Sequence, residues 1–189
     1  LAPRSRYDEV VQGLGSVFEA AVVGDPFAPM TEVGPMVSRA HQERVEKYIA
    51  LGQEEGAKVV VGGSGRPPGL DRGWYVQPTV FAGVTNDMRI GREEIFGPVV
   101  GVIPYDDVDE AVRIANDSDY GLGGSVWTSD PEAGLEVTRR IRAGSVSVNQ
   151  YAFEFIGPFG GYKASGIGRE FGREGLQEYV ELKQIVPAG

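Results

Sequence analysis

The sequence predicts an α/β fold: three αβα layers around a largely parallel sheet, with an extended strand at the C-terminus. Segments with apolar residues at helical spacing alternate with short runs rich in Val, Ile and Thr, the order that covers a sheet with helices on both faces. Glycine and proline, 28 and 12 of the 189 residues, stand at turn positions between those segments, which favours loops over disorder. A last apolar run over residues 179–186 comes after the final core strand, with few local partners for its backbone.

The elements follow in order. Ser5 is positioned to cap a first helix with Asp8 in its opening turn, and Tyr7, Val10, Val11, Leu14, Val17, Phe18 and Ala21 share one face. Residues 23–37 form a Pro/Gly-rich connection. A second helix runs from about Ser38 to Glu55 and stops at Gly56, and residues 58–61 read as the strand behind it. Gly97-Pro98 breaks the backbone before a buried strand over residues 99–103. Asp107 and Glu110 make a capping-box pattern ahead of Val108, Ala111, Val112 and Ala115 at helical spacing. Residues 125–128 read as a strand, Asp130-Pro131 as a cap followed by an N1 proline, and residues 145–149 as the next strand. At the C-terminus a short helix end precedes a strand closed by Pro187. There is no internal repeat and no low-complexity tract.

Composition narrows the function classes. A formal charge of −9 and a pI near 4.7 argue against nucleic acid or an anionic membrane as partners. No apolar run approaches the roughly 20 residues a membrane span needs, and no signal-peptide pattern opens the chain. The absence of cysteine excludes a disulfide framework and fits a cytoplasmic location. His41 is the only histidine, so with no cysteine a transition-metal site is not expected. The acidic run from Asp106 to Glu110 lacks the calcium-loop spacing, and helix capping accounts for it. Arg139, Arg140 and Arg142 fit the negative end of a helix dipole. Gly166, Gly168 and Gly172 have the wrong spacing and no preceding strand for a dinucleotide fingerprint, and read as tight-packing positions.

The most informative segment is Arg92-Glu93-Glu94-Ile95-Phe96-Gly97-Pro98-Val99-Val100. It sets Glu94 and Phe96 on a rim just before a strand, where side chains face a ligand while the sheet holds the backbone. A carboxylate accepts two hydrogen bonds at once, the geometry that clasps a ribose diol, and a nearby ring packs on a flat heteroaromatic. The segment resembles the EEIFGP motif of the NAD(P)-dependent aldehyde dehydrogenase superfamily. Further matches run in register: Gly34-Pro35-Met36, Gln77-Pro78-Thr79-Val80, Tyr120-Gly121-Leu122, Gly144-Ser145-Val146-Ser147-Val148-Asn149, Pro158-Phe159-Gly160-Gly161-Tyr162-Lys163 and Ser165-Gly166-Ile167-Gly168-Arg169-Glu170.

The resemblance implies a catalytic domain of the aldehyde dehydrogenase type, with residues 1–160 as its α/β portion and residues 161–189 as a glycine-rich return segment plus an oligomerisation strand. Glu94 would hold the nicotinamide ribose of NAD or NADP, and Phe96 would pack by the nicotinamide. Phe153, Phe155 and Phe159 would wall the aldehyde tunnel. The parent reaction would convert an aldehyde to a carboxylic acid through a thiohemiacetal and an acyl-enzyme. This chain holds no cysteine, and its opening residues resemble the family segment that begins shortly after the nucleophile. The expectation is therefore a C-terminal part of a longer enzyme, with no catalytic residue of its own and no metal. It would be inactive alone and would assemble into homo-oligomers through its last strand. The alternatives are an acyl-reducing member of the superfamily and a non-catalytic assembly module.

Overall fold

The centre of the first half is a strand that the sequence pattern left unassigned. Residues 79–82 follow Pro78 and form the middle of a three-stranded sheet in which Thr79, Val80 and Phe81 are fully buried. The structure, a computed structural model, describes residues 1–152 and 154–188. By their contacts these divide into two compact units, Leu1–Ala111 and Val112–Gly189.

In the first unit, β1 (Ala2–Pro3) leads through a 3-10 turn at Arg4–Arg6 into α1 (Tyr7–Ala20). Ser5 lies inside that turn, so it does not serve as the expected cap; Asp8 and Glu9 occupy the positive end of the helix instead. Next come α2 (Arg39–Glu54), β2 (Lys58–Val61), β3 (Thr79–Ala82), the single turn α3 (Arg89–Arg92), β4 (Val99–Gly101) and β5 (Pro104–Tyr105). Ser38 caps α2 as predicted, its hydroxyl accepting from the His41 amide, and Gly56 follows the helix with φ +97°.

Successive residues of β3 point to opposite faces, and each face has its own helix. Phe81 packs with Val45 and Ile49 of α2, together with Val76, Val84 and Ile90. Val80 packs with Ala2 and Val102 against Tyr7, Val10, Val11, Leu14 and Phe18 of α1. Val17, at the margin of the α1 stripe, remains exposed. The result is the expected three-layer order, helix on sheet on helix. The sheet itself is mixed rather than largely parallel: β3 pairs β4 in parallel and β2 in antiparallel. The 17 residues between β2 and β3 carry no crossover helix, so the chain returns in the opposite direction.

The helix α4 (Val108–Asn116) starts in the first unit and runs into the second. The Asp107 carboxylate accepts from the Glu110 amide at 2.8 Å, and Glu110 reaches back to the Asp106 amide at 2.7 Å, one residue earlier than a standard capping box. The second unit continues with β6 (Tyr120–Gly121), β7 (Gly123–Val126), α5 (Pro131–Arg140), β8 (Ser145–Val148), β9 (Tyr162–Lys163) and α6 (Gly172–Gln177). Strands β7 and β8 are parallel neighbours joined by α5, a crossover unit, whereas β6 and β9 pair antiparallel. Asp130 caps α5 with Pro131 at its first position, accepting from the amides of Glu132 and Ala133 at 3.0 and 3.1 Å.

The single chain does not show the expected C-terminal strand: residues 179–188 lack regular structure, and Tyr179, Leu182, Ile185 and Val186 are exposed. One expectation is corrected here: Gly166 and Gly168 are not packing positions. They hold φ +134° and +78° with open space or only distant atoms around them, so conformation is what requires glycine there.

Candidate functional site

Residues 93–96 form an extended strap between α3 and β4, and the strap alternates. Glu93 and Ile95 are half-buried, whereas Glu94 and Phe96 are exposed. Ile95 packs against the cluster around Phe81. Glu93 is held by Arg89, through Nε at 2.7 Å and Nη2 at 2.9 Å, and by the Tyr48 hydroxyl at 2.6 Å. The Arg89 hydrogen bonds first, and that of Tyr48 next, bring the Glu93 carboxyl down from its ordinary 4.5 to about 2. The two inward residues thus anchor the strap and leave the two outward ones available to a ligand.

The backbone between them is clasped as well. Arg44 Nη2 donates to the Glu94 carbonyl at 2.5 Å, and His41 Nε2 lies 2.5 Å from the Phe96 carbonyl. The His41 and Phe96 rings stand 5.8 Å apart at 37°. Phe96 has φ +60°, a region that residues with a Cβ rarely occupy. A Cβ at Gly97 would lie 2.7 Å from both Val45 methyls, so only glycine lets the strap lie this close to α2. Phe96 is 67% exposed, and the Glu94 carboxylate makes no hydrogen bond among the described residues. A carboxylate and a ring two residues apart on one side of a fixed strap match a ligand that joins a diol to a flat ring. The sequence pointed to Glu94 and Phe96 but missed His41, Arg44, Tyr48 and Glu93, which fix them. Their signal was available: positions 41, 44 and 48 fall on one side of an amphipathic helix.

The second unit holds the other candidates. The loop that carries them leaves the carboxyl end of β8, where parallel sheets form ligand sites. Asn149 ties that end down, its side chain accepting from the Thr128 amide and donating to the Thr128 carbonyl, both at 2.8 Å. Phe155 is exposed and meets Phe171 edge to face at 5.2 Å. Phe159 is half-buried and exchanges backbone hydrogen bonds with Glu170 at 2.8 and 2.7 Å, which closes the loop. Phe153 lies outside the described residues. Behind the loop, a Cβ at Gly144 would fall 1.6 Å from the Gly160 carbonyl, a contact that requires glycine. Lys163 donates to the carbonyls of Asn116 and Ser118, both at 2.8 Å, and so finishes α4.

The family model described as the aldehyde dehydrogenase family matches residues 1–185. The chain belongs to the aldehyde dehydrogenase family. It is 51% identical to geranial dehydrogenase of Castellaniella defragrans over 189 residues, covering all of this chain and 39% of that relative. It is 46% identical to 3-succinoylsemialdehyde-pyridine dehydrogenase of a Pseudomonas species over 186 residues, 98% of this chain and 39% of the relative. Among solved structures, an aldehyde dehydrogenase of Mycobacterium tuberculosis complexed with NAD+ superposes with a TM-score of 0.92 at 54% identity, covering 94% of this chain and 37% of that one. A cysteine-to-alanine mutant of aldehyde dehydrogenase C from Pseudomonas syringae, complexed with NAD+ and octanal, gives a TM-score of 0.95 at 48% identity, covering 99% and 39%. This aldehyde dehydrogenase family chain therefore spans about two fifths of the length of these relatives. Among its described residues no helix is long and apolar enough to cross a membrane.

Proposed function

We propose that this chain works as part of a longer aldehyde dehydrogenase that oxidises an aldehyde to a carboxylic acid with NAD or NADP. The observation that carries the reading is the alternation of the strap. Glu93 and Ile95 are anchored, and Glu94 and Phe96 are presented outward two residues apart.

The donor set suits the cofactor. An exposed carboxylate with no hydrogen-bond partner among the described residues has its acceptor sites open to a pair of ribose hydroxyls, and the Phe96 ring is exposed beside it for a nicotinamide. NAD or NADP, when bound, would supply the hydride acceptor. Glu94 then fixes the ribose and Phe96 limits where the ring can lie, so the two residues orient the acceptor without taking part in bond making. Phe155 and Phe159 form apolar wall for the aldehyde. Residues 1–160 make up the catalytic portion; residues 161–189 form the return segment and an oligomerisation strand that becomes a strand only on a partner's sheet edge. The site is cytoplasmic in this reading.

The chain has no thiol and hence no nucleophile of the family's kind, so alone it does not turn over. The test is aldehyde-dependent NADH or NADPH formation by three proteins: the chain alone, the full-length enzyme that carries it, and that enzyme with Glu94→Gln. No activity is expected from the first, full activity from the second, and a loss of about tenfold or more from the third with stability within ~0.5 kcal/mol. Turnover by the isolated chain, or an undiminished Glu94→Gln enzyme, would overturn the reading.

A further inference from the structure

One side of α2 grips the strap at four successive points. His41, Arg44, Val45 and Tyr48 stand at i, i+3, i+4 and i+7, which places them along one line of the helix. They meet, respectively, the Phe96 carbonyl, the Glu94 carbonyl, the α-carbon face of Gly97 and the Glu93 carboxylate. None of these contacts uses the outward side chains of Glu94 or Phe96 except one: the His41 ring lies beside the Phe96 ring as well as against its carbonyl. His41 therefore touches both ends of the residue whose backbone sits at φ +60°. Since a carbonyl oxygen only accepts, Nε2 must carry the proton in this contact, which fixes the imidazole as a donor towards the strap.

We infer that His41 is a positioning residue for the cofactor end of the reaction, acting by holding Phe96 in its outward pose, with Arg44 doing the same for Glu94. The inference rests on the reading of Glu94 and Phe96 given above. It assigns His41 a role in orientation and not in affinity, because its donor is spent on the protein's own backbone. It also specifies which replacement works. The amide nitrogen of glutamine reaches about where imidazole Nε2 lies, so His41→Gln keeps the donor, whereas His41→Ala removes it.

The experiment uses the full-length enzyme and three readings: hydrogen exchange of the peptide covering residues 93–97 without cofactor, the NAD+ dissociation constant, and the primary isotope effect with aldehyde deuterated at the reacting carbon. For His41→Ala, exchange in that peptide rises about tenfold while the rest of the chain is unchanged. NAD+ affinity stays within about threefold, and hydride transfer slows by on the order of 10²-fold with a larger isotope effect. His41→Gln returns all three towards wild type. A purely structural role would lower stability without raising the isotope effect, and would overturn the inference. So would His41→Ala with unchanged exchange and isotope effect, or His41→Gln no better than His41→Ala. Should His41→Ala fail to fold, His41→Asn, whose amide is too short to reach the carbonyl, replaces it with the same expectations. Slow Glu94→Gln beside fast His41→Ala would sink this inference alone; unimpaired Glu94→Gln would sink the clamp reading beneath it.

Discussion

Glu93 and Glu94 are adjacent carboxylates with opposite employment. Glu93 is spent on Arg89 and Tyr48, while Glu94 is left to solvent. Sequence alone identified Glu94 through its motif and could not separate the two by chemistry, because the difference lies in which way each points on an extended strap. The Glu93 ion pair has a consequence for pH. Its folded-state pKa, about 2, lies below the ordinary 4.5, so its stabilisation is present above 4.5 and fades as pH falls towards 2. Wild type should therefore lose more stability than Glu93→Gln on going from about pH 6 to about pH 3, measured by denaturant unfolding at each pH. Parallel losses in the two proteins would show that the pair contributes nothing to the fold. The remaining residue-level gap was His41. A lone histidine in sequence suggests a metal ligand first, and a donor aimed at a carbonyl 55 residues away leaves no mark in the local sequence.

At the scale of elements, boundaries with side-chain chemistry were legible. Ser38, Gly56 and Asp130-Pro131 each sit where the structure ends or begins a helix. Elements defined by tertiary contact were not. The central strand β3 follows a proline and is only four residues long, and its identity comes from burial between two helices rather than from its own pattern. Strand β7 begins at Gly123, two residues before the apolar run that marked it, because pairing with β8 extends over glycines. The contact between α2 and the strap gives a prediction with two signs. Gly97→Ala drives a methyl to 2.7 Å from both methyls of the fully buried Val45, whose branched side chain has little freedom to move, and should cost about 1–3 kcal/mol. Gly13→Ala in α1 meets nothing within 4 Å and should stabilise by roughly 0.5–1 kcal/mol. Thermal unfolding of both variants checks this; equal shifts would mean the close approach at Gly97 is relieved without cost.

At the largest scale, the layer order of the first unit was legible, and parallel pairing holds for β1–β5, β3–β4 and β7–β8 but not for β2–β3 or β6–β9. The helix–sheet–helix order follows from amphipathic helices flanking buried strands, whereas β2 against β3 is set by a connection too plain to reveal its path. The last ten described residues, 179–188, expose five large apolar side chains and form no ladder within the chain. If that segment is completed by a second copy, light scattering of the full-length enzyme should give at least a dimer, and deletion after Glu178 should shift it towards monomer or aggregate. An enzyme that keeps its oligomeric state after the deletion would place the interface elsewhere. The central claim is narrower, that the strap presents Glu94 and Phe96 to the cofactor. The most direct measurement is a crystal structure of the full-length enzyme with NAD+ or NADP+ bound. The account predicts Glu94 carboxylate oxygens within roughly 2.6–3.2 Å of the nicotinamide ribose hydroxyls and the Phe96 ring packed beside the nicotinamide. A ribose held by other groups, with Glu94 turned to solvent, would contradict it.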